Sequence, residues 1–418
     1  MTSCSSWRKK VRDFWRIQPL WLRQLELKIH GALTLKALNR QRSFKRGDVV
    51  VAGLLGTASG LGEGARQLLE RLQKKGMAVG ASNLSRAMLL EDFDAGAIWS
   101  DSFEKEGMLI LAMNPNLLSL AYAAIGRQRI VSHRVVGIWY WELQHFPPSW
   151  KSALRFVDEV WAGSHYVAEG LRKIAGTTPV HVVPLPLNVA SFLTVPTRDV
   201  LPEFSGKTIV YFMYDVRSTH ARKNPEAVIK AFRLAAENSP DCVLVIKINN
   251  TETWPESEAR LAALAKGYSN IHFLHAKFSA EDMKNLMARV DIVISLHRSE
   301  GFGLLMAEAM ASAKPVIATG WSANIDFMTP ESSVLIDYKL IDVVDPQHGY
   351  DGYGAKWAEP DIEQAAAALR RLIDSPEERA RLGQAARLQI QSYLSDENWF
   401  KFLPPSFWDS LADPPAKS

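Results

Sequence analysis

The sequence predicts an α/β protein with two Rossmann-like, doubly wound domains, and two observations support this. The chain has 418 residues, more than one hydrophobic core usually serves. Short β-branched apolar runs alternate with amphipathic stretches, which is the pattern of βα units around a parallel sheet. The alternation begins after residue 46, stops over 191–206 and then starts again. We therefore expect one domain at 47–190, a linker at 191–206 and a second domain at 207–390.

The first series of elements opens with a strand at 48–56 and a helix at 61–76 that Gly76 closes. The strand that follows ends in MAVGASN. Later strands are predicted at 107–113, 135–141, 158–163 and 180–185.

The second series contains predicted helices at 225–237 and 279–290. Its strands are predicted at 207–215, 242–248, 270–276, 291–296, 314–319 and 333–337. Ligands of such open sheets bind at the carboxyl ends of the strands, so two sheet edges that face each other would form a binding cleft. Residues 391–418 are a C-terminal tail, which we expect to pack back on the first domain.

Composition indicates an ordinary globular protein in the cytoplasm. Hydrophobic residues make up 47% and charged residues 22% of the chain, and no uncharged apolar run reaches the ~18 residues that a membrane span needs. The basic start of the chain has no apolar core or small-residue cleavage site of a secretory signal. The two cysteines, Cys4 and Cys242, lie far apart, which supports neither a disulfide framework nor a structural zinc site.

The charge of the chain is unevenly distributed. Residues 1–46 hold twelve Lys or Arg against two acidic residues, a balance of +10 that leaves −6 for the rest. A basic patch at one end argues against a nucleic-acid-binding surface and for a local contact of this extension. Aromatic side chains accompany the charge, which is typical of a helix on an anionic membrane surface; the alternative is an arm packed on the first domain. These aromatics are Trp7, Phe14, Trp15 and Trp21.

The loop after the first strand, GLLGTASGLGEGARQ, joins strand to helix through glycines. Gly60 and Gly62 would let backbone amides approach a phosphate. The alternative is that they only let the helix pack closely on its strand. With Ala65 they fit a G-x-G-x-x-A dinucleotide pattern, but the following strand offers no acidic residue for a ribose, which disfavours NAD binding.

The segment HRSEGFGLLMAEAMASAKPVIATG carries the strongest functional pattern. Glu300 follows a buried strand, and Glu308 lies eight residues later on a helix. Between them, Gly301, Phe302 and Gly303 form an amide-rich turn at the helix start. Carboxylates here would accept hydrogen bonds from sugar and ribose hydroxyls while the amides face a phosphate. The alternative is an ordinary helix start with a favourable acidic first turn.

This segment resembles the retaining family-4 glycosyltransferases of GT-B fold, in which two glutamates separated by seven residues occur in an EGFGL…EAMA…PV setting. The resemblance covers most of residues 48–390. It implies that Glu300 contacts hydroxyls of the donor sugar and orients the anomeric carbon, and that Glu308 binds the nucleotide ribose. The matching segments include GLGEGAR, WYWELQHFPPSW, DEVWAGSHYV, RKNPEAVIKAF, GWSANIDFMTP and WAEPDIEQAAAALRRLID.

The same family uses a lysine after the first strand of the second domain, usually with an arginine, to neutralise the donor diphosphate. Here DVRSTHARKNPE supplies Lys223, at the start of a helix where a cation does not help the helix dipole. Its arginine partner is either Arg222 or Arg217, and a solvated surface charge is the alternative for each. The resemblance therefore implies that Glu300, Lys223 and Arg222 or Arg217 serve the reaction.

Many members place a histidine at the end of a first-domain strand near the sugar, and this sequence departs from that pattern. Trp141 and Glu142 occupy the strand end, and His145 follows as a substitute or as a surface residue. Tryptophan rings stack on sugars and a glutamate can bind an acceptor hydroxyl, so we expect these residues on the acceptor side, together with Asn114. Trp139 and Trp150 fit either stacking or core packing. Ala313 stands where the family often has glycine.

The expected ligands are a nucleoside-diphosphate sugar as donor and a saccharide or lipid-linked saccharide as acceptor. No cofactor and no metal are expected, since Lys223 and helix amides would provide the charge of a metal ion. Asp92-Phe93-Asp94 is the alternative, because D-x-D carboxylates hold a divalent ion in other glycosyltransferases. The rival activities are a nucleotide-sugar epimerase or hydrolase and a non-catalytic binding subunit on the same fold.

Overall fold

The computed structural model describes Leu22, Ile29, 44–85, Met88, Leu90, 106–192, 197–236 and 239–411. Most of the basic extension and all of Asp92-Phe93-Asp94 lie outside these residues. The chain divides into two compact units. Unit 1 comprises 1–140, 146–186 and 399–418, and unit 2 comprises 141–145 and 187–398.

Unit 1 is built on a parallel sheet of six strands in the order β2-β1-β3-β4-β5-β6. Its elements up to residue 182 are β1 Asp48–Gly53, α1 Gly60–Lys74, β2 Val79–Asn83, β3 Gly107–Ala112, α2 Leu118–Ile125, α3 Arg127–Ser132, β4 His133–Trp139, α4 Pro148–Ala153, β5 Glu159–Ala162, α5 His165–Ala175 and β6 Val180–Val182.

Unit 2 holds a second parallel six-stranded sheet, in the order β12-β11-β10-β7-β8-β9, and an antiparallel hairpin of β13 and β14. Its elements are β7 Thr208–Asp215, α6 His220–Lys223, α7 Pro225–Ala236, β8 Cys242–Asn249, α8 Glu256–Ala265, β9 Ile271–Leu274, α9 Ala280–Arg289, β10 Ile292–Ser295, α10 Leu304–Ala311, β11 Val316–Thr319, β12 Val334–Ile336, β13 Tyr338–Asp342, β14 Lys356–Pro360, α11 Ile362–Asp374 and α12 Pro376–Leu394. The chain then forms α13 Asp396–Trp399 and α14 Pro405–Ser410.

Burial on both faces explains why the central strands are continuous apolar runs. In β8, seven consecutive residues from Cys242 to Ile248 are buried, and all of them except Lys247 are apolar. Helices α7 and α11 cover one face of this sheet with Phe232 and Leu369, which are fully buried in the same core. Parallel sheets need helices on both faces, so this pattern follows from the βα order of the sequence.

Serine caps start several of these helices. Ser279 accepts a hydrogen bond from Asp282 N at the start of α9, and Ser164 accepts one from Val167 N at the start of α5. Such a cap satisfies an amide that has no partner within the helix. No helix in the described ranges has the length and apolar character that crossing a bilayer requires.

The predicted fold class, two doubly wound α/β units, is confirmed. The strand predicted at 135–141 ends earlier, at Trp139, because Asn114 Oδ1 accepts the hydrogen bond of Tyr140 N at 2.9 Å. Strands β13 and β14 were not expected, since the residues between them carry no periodic pattern.

Candidate functional site

The carboxyl ends of β7 and β10 bring the site residues of unit 2 together. These strands are neighbours in the sheet, with Ile292 opposite Val210 and Val293 opposite Tyr211. The loop after β7 leads to α6 and Lys223, and the loop after β10 contains Glu300. Parallel neighbours end at the same sheet edge, so residues 77 positions apart meet there.

Glu300 is the centre of this cluster. Its side chain lies 2.5 Å from Lys223 Nζ through Oε1 and 3.4 Å from Arg222 Nη1 through Oε2, and the residue is 8% exposed. Burial raises the pKa of the carboxyl, but Lys223, Arg222 and His297 outweigh it and hold that pKa at about 2. Glu300 is therefore ionised at neutral pH.

Lys223 is the cation closest to Glu300. Burial lowers the pKa of its ammonium group, and the charge of Glu300 acts in the opposite direction. Asn224 follows it in the left-handed conformation, with φ 55°, and donates a hydrogen bond to Leu296 O at 3.0 Å. Asparagine tolerates this conformation better than most residues. Asn224 thus ties the lysine loop to the end of β10.

The two arginines between which the sequence could not choose occupy different environments. Arg222 is 2% exposed and donates to Ser299 O and Ser218 O, each at 2.8 Å. The side chain of Arg217 is 43% exposed and forms an ion pair with Asp215 at 2.9 Å. The structure therefore brings Arg222, and not Arg217, to Glu300.

The turn between the two glutamates has the conformation that its glycines permit. Gly303 precedes α10 with φ 97°, where a side chain would be strained. Phe302 is buried and lies 5.4 Å from the ring of Phe327. A Cβ on Gly301 would lie 3.1 Å from Trp141 O, so this glycine allows a close backbone approach.

Glu308 lies on α10 and is half-buried. Burial raises the pKa of the Tyr211 hydroxyl on β7, and the charge of Glu308 raises it further. The carboxylate is therefore near β7, the strand that precedes the lysine loop. The structure thus places Glu308, the residue predicted to bind the ribose, close to β7.

Three residues that the sequence did not identify support the loop of Glu300. Ser322 Oγ accepts the hydrogen bond of Glu300 N at 2.8 Å. His297 is fully buried, and its Nε2 lies 3.1 Å from Asn324 Oδ1. Burial lowers the pKa of His297, and the charge of Glu300 acts in the opposite direction. The segment GWSANIDFMTP contains Ser322 and Asn324, and its likeness to the family was the available signal.

Three predicted acceptor-side residues lie in the short segment 141–145 of unit 2. Glu142 Oε2 accepts a hydrogen bond from the Tyr350 hydroxyl at 2.7 Å, and its Oε1 lies 3.8 Å from Arg222 Nη2. Trp141 donates to His145 O at 2.9 Å, with its ring 5.1 Å from Tyr350. His145 Nδ1 lies 3.1 Å from Gly354 O. In this structure Glu142 thus faces Arg222.

The remaining acceptor-side candidates belong to unit 1 and have structural partners. Asn114 bonds the backbone of Tyr140. Trp139 and Trp150 are buried, with ring centres 5.6 Å apart, so they pack in the interior and do not present faces to a sugar.

Of the two candidate glycines in the first loop, Gly62 has a structural explanation and Gly60 has none in the packing around it. Gly62 N donates to Ser59 Oγ at 3.2 Å, and a Cβ on Gly62 would lie 2.5 Å from Thr57 O and 2.6 Å from Leu54 O. Close packing of α1 on its own loop therefore requires Gly62. A Cβ on Gly60 would meet no atom within 4 Å.

Within the part of the chain that the structure describes, no group of three His, Cys, Asp or Glu side chains is placed to hold a metal ion. The Asp92-Phe93-Asp94 alternative lies outside that part.

Residues 198–389 match the family described as "Glycosyl transferases group 1". This range contains Lys223, Glu300 and Glu308. A curated relative, the MMP alpha-(1->4)-mannosyltransferase of Mycolicibacterium hassiacum, is 32% identical over 164 residues, which is 39% of this chain and 34% of the relative. The chain spans 34–41% of the curated relatives it matches.

Solved structures resemble the chain over most of its length. A glycosyltransferase from Rickettsia africae has a TM-score of 0.59 at 16% identity. The superposition covers 86% of this chain and 97% of the Rickettsia chain. Anabaena HepE, in complex with UDP and glucose, has a TM-score of 0.58 at 15% identity. The superposition covers 85% of this chain and 97% of the HepE chain. At these identities the likenesses show the fold alone.

Proposed function

We propose that this chain transfers a sugar from a nucleoside diphosphate to a hydroxyl of a saccharide or lipid-linked saccharide, with retention of the anomeric configuration. The observation that carries the proposal is the buried cluster of Lys223, Arg222 and Glu300 at the carboxyl ends of two adjacent strands. The range matched by the group 1 family contains all three residues.

The chemistry of the leaving group explains why this cluster suits the reaction. When the bond to the diphosphate breaks, the sugar becomes oxocarbenium-like and negative charge grows on the phosphate. A fixed cation in a buried site stabilises that charge far better than water does. Lys223 Nζ, now bonded to Glu300, is the cation we assign to the diphosphate, with an arginine beside it.

A bound diphosphate would compete with Glu300 for Lys223. The carboxylate would then turn toward the sugar hydroxyls and orient the anomeric carbon. In the chain without ligand this carboxyl is ionised, and a carboxylate only accepts hydrogen bonds, as the sugar hydroxyls require. Glu308 is the proposed partner of the ribose hydroxyls.

The retained configuration is proposed to arise without a covalent enzyme intermediate. An oxygen of the leaving phosphate takes the proton of the acceptor hydroxyl, and the acceptor oxygen forms its bond to the anomeric carbon on the same face. The protein holds both partners in place and stabilises the phosphate charge. Lys223 and the amides of the Gly301–Gly303 turn supply positive charge, so we propose that the reaction needs no metal ion.

Two probes follow from the comparisons. HepE was solved with UDP and glucose, and one curated relative is named as GDP-mannose-dependent. UDP-glucose and GDP-mannose are therefore the first donors to test, with nucleoside diphosphate release as the readout and a panel of saccharides as acceptors.

Dependence on the acceptor separates the proposed function from its rivals. A transferase releases nucleoside diphosphate faster when an acceptor is present and forms a new glycoside. An epimerase or hydrolase consumes donor equally well without acceptor, and a binding subunit raises the melting temperature with the nucleotide but consumes nothing. Either of the last two results would contradict the proposal.

A further inference from the structure

The loop between β13 and β14, residues 343–355, is built around a buried carboxylate. Asp345 is 1% exposed and accepts hydrogen bonds from the backbone amides of Gln347 at 3.0 Å, Gly349 at 2.7 Å and Tyr350 at 3.2 Å. A short side chain that bonds nearby amides fixes the turn of its own loop. The backbone of Tyr350 is therefore held in place by Asp345.

Gln347 fastens this loop to the loop that carries the candidate cations. Its Oε1 accepts from His220 N at 2.7 Å, and its Nε2 donates to Val216 O at 3.0 Å. These backbone groups lie on either side of Arg217. The 343–355 loop is thus bonded directly to the loop after β7.

Tyr350 connects the 343–355 loop to Arg222 in two ways. Its hydroxyl donates to Glu142, whose other carboxylate oxygen faces Arg222 at 3.8 Å. Its ring also lies beside Arg222, with the guanidinium carbon 5.7 Å from the ring centre. Arg222 is consequently enclosed by a carboxylate and an aromatic ring.

Both terminal nitrogens of Arg222 are committed to protein acceptors. Nη1 bonds Ser299 O and faces Glu300, and Nη2 bonds Ser218 O and faces Glu142. The residue is also almost completely buried. An arginine in this state has little surface left for a diphosphate, whereas its planar fork suits the holding of several oxygens at once.

We propose that Tyr350, Glu142 and Arg222 form a positioning network that fixes the loop of Glu300 and thereby sets the turnover of sugar transfer. Arg222 acts through Glu300 and does not bind the donor, which leaves Lys223 as the diphosphate partner. This inference rests on the proposed function.

The physical basis is that transfer requires the Glu300 carboxylate in one place. Arg222 bonds the carbonyl of Ser299, immediately before Glu300, and faces the carboxylate itself, so it holds both the backbone and the side chain. Loss of such support misplaces a reacting group by a fraction of an ångström and slows the chemical step more than it weakens substrate binding.

The decisive variant is Arg222→Lys, which keeps the charge and removes the fork. We expect kcat to fall at least 10-fold with the best donor, while the Kd for UDP or GDP, measured by calorimetry, stays within about twofold of wild type. Lys223→Ala, the comparison variant, should raise that Kd at least 10-fold. An Arg222→Lys chain that loses nucleotide affinity as Lys223→Ala does, or keeps wild-type kcat, would overturn the positioning role.

Tyr350→Phe tests the network without removing any charge or ring. We expect kcat to fall about 3- to 10-fold at unchanged nucleotide Kd and unchanged Tm, and little further loss when it is combined with Arg222→Lys, because both changes act on one chain of contacts. The control is Tyr353→Phe, which should behave as wild type. Tyr353 lies in the same 343–355 loop as Tyr350, and its ring is edge-on to Trp141.

Failure of the inference and failure of the proposed function differ in outcome. If wild type transfers sugar and Tyr350→Phe is fully active, or if the two substitutions are simply additive, only the positioning network is wrong. If wild type transfers no sugar from any nucleotide donor, the proposed function fails and the network fails with it.

Discussion

The two units share a six-stranded parallel sheet but differ in how they use the loop after the first strand. In unit 1, Arg66 Nη1 donates to Leu55 O and Thr57 O, each at 2.8 Å, Ser59 caps α1, and Gly56 N donates to Ser85 Oγ at 2.9 Å, so backbone groups of this loop bond to its own helix and to the residues after β2. In unit 2, the corresponding loop after β7 carries Lys223 and Arg222 to a carboxylate on another loop.

The two loops differ in how deeply they bury charged side chains. Burying an ion costs several kcal/mol unless a partner compensates, and an apolar replacement is often as stable. The loop in unit 1 avoids that cost. The loop in unit 2 accepts it at Arg222, Lys223 and Glu300, and buried charges of this kind are typical of functional sites, which is why we propose the chemistry there.

The largest expected effect comes from removing the unit 2 charges. Lys223→Ala and Glu300→Ala should each lower kcat/KM for sugar transfer roughly 100-fold or more, because each removes a preorganised group that acts in the transition state. Steady-state kinetics with circular dichroism as a folding check would measure this. Lys230→Ala, an exposed lysine on α7, is the matched control. Near-wild-type rates for both site variants would show that the chemistry lies elsewhere.

The second prediction concerns stability in unit 1. Gly62→Ala should lower the free energy of unfolding by about 2 kcal/mol, because the new Cβ would overlap backbone carbonyls at 2.5 and 2.6 Å. Gly60→Ala, where the Cβ meets nothing within 4 Å, should change it by less than about 0.5 kcal/mol. Urea unfolding compares the two. Weaker nucleotide binding by a stable Gly60→Ala chain would show that the unit 1 loop also serves a ligand.

The third prediction is an acid dependence of stability that Glu300 causes. Its pKa is about 2 in the folded chain against an ordinary value of 4.5. A lowered folded pKa gives stability that is present above the unfolded pKa and is lost as pH falls toward the folded pKa. Between pH 5 and pH 3, wild type should therefore lose roughly 1–2 kcal/mol more than Glu300→Gln does.

The quantity to compare is the change in the free energy of unfolding with pH, because Glu300→Gln leaves Lys223 without its carboxylate and lowers stability at every pH. Glu226, whose pKa is also held at about 2, is present in both chains and cancels. Parallel curves for the two chains would contradict the low pKa of Glu300.

The smallest expected effect is that of chelation. If side chains and amides supply the positive charge, as proposed, EDTA should leave the rate of transfer within about twofold of its starting value. A loss of activity that Mg²⁺ or Mn²⁺ restores would favour Asp92-Phe93-Asp94 as a metal site. It would contradict the proposal that unit 2 alone supplies the positive charge.

The sequence predicted the sheets and the position of Glu300 and Lys223, because strand periodicity and a turn before a helix are local signals. It did not predict that Glu142 meets Tyr350, since these residues are 208 positions apart. It also could not choose between Arg217 and Arg222, which lie on the same short loop. Burial separates them, and the ring of Tyr350, in the 343–355 loop that Asp345 and Asp351 help to fold, lies beside Arg222.

The central claim, that unit 2 binds a nucleoside diphosphate through Lys223, is tested most directly by calorimetric titration of wild type and Lys223→Ala with UDP and GDP. We predict that wild type binds at least one of them and that Lys223→Ala, still folded by circular dichroism, binds it at least 10-fold more weakly. No binding of either nucleotide by wild type, or equal Kd values for the two chains, would contradict it.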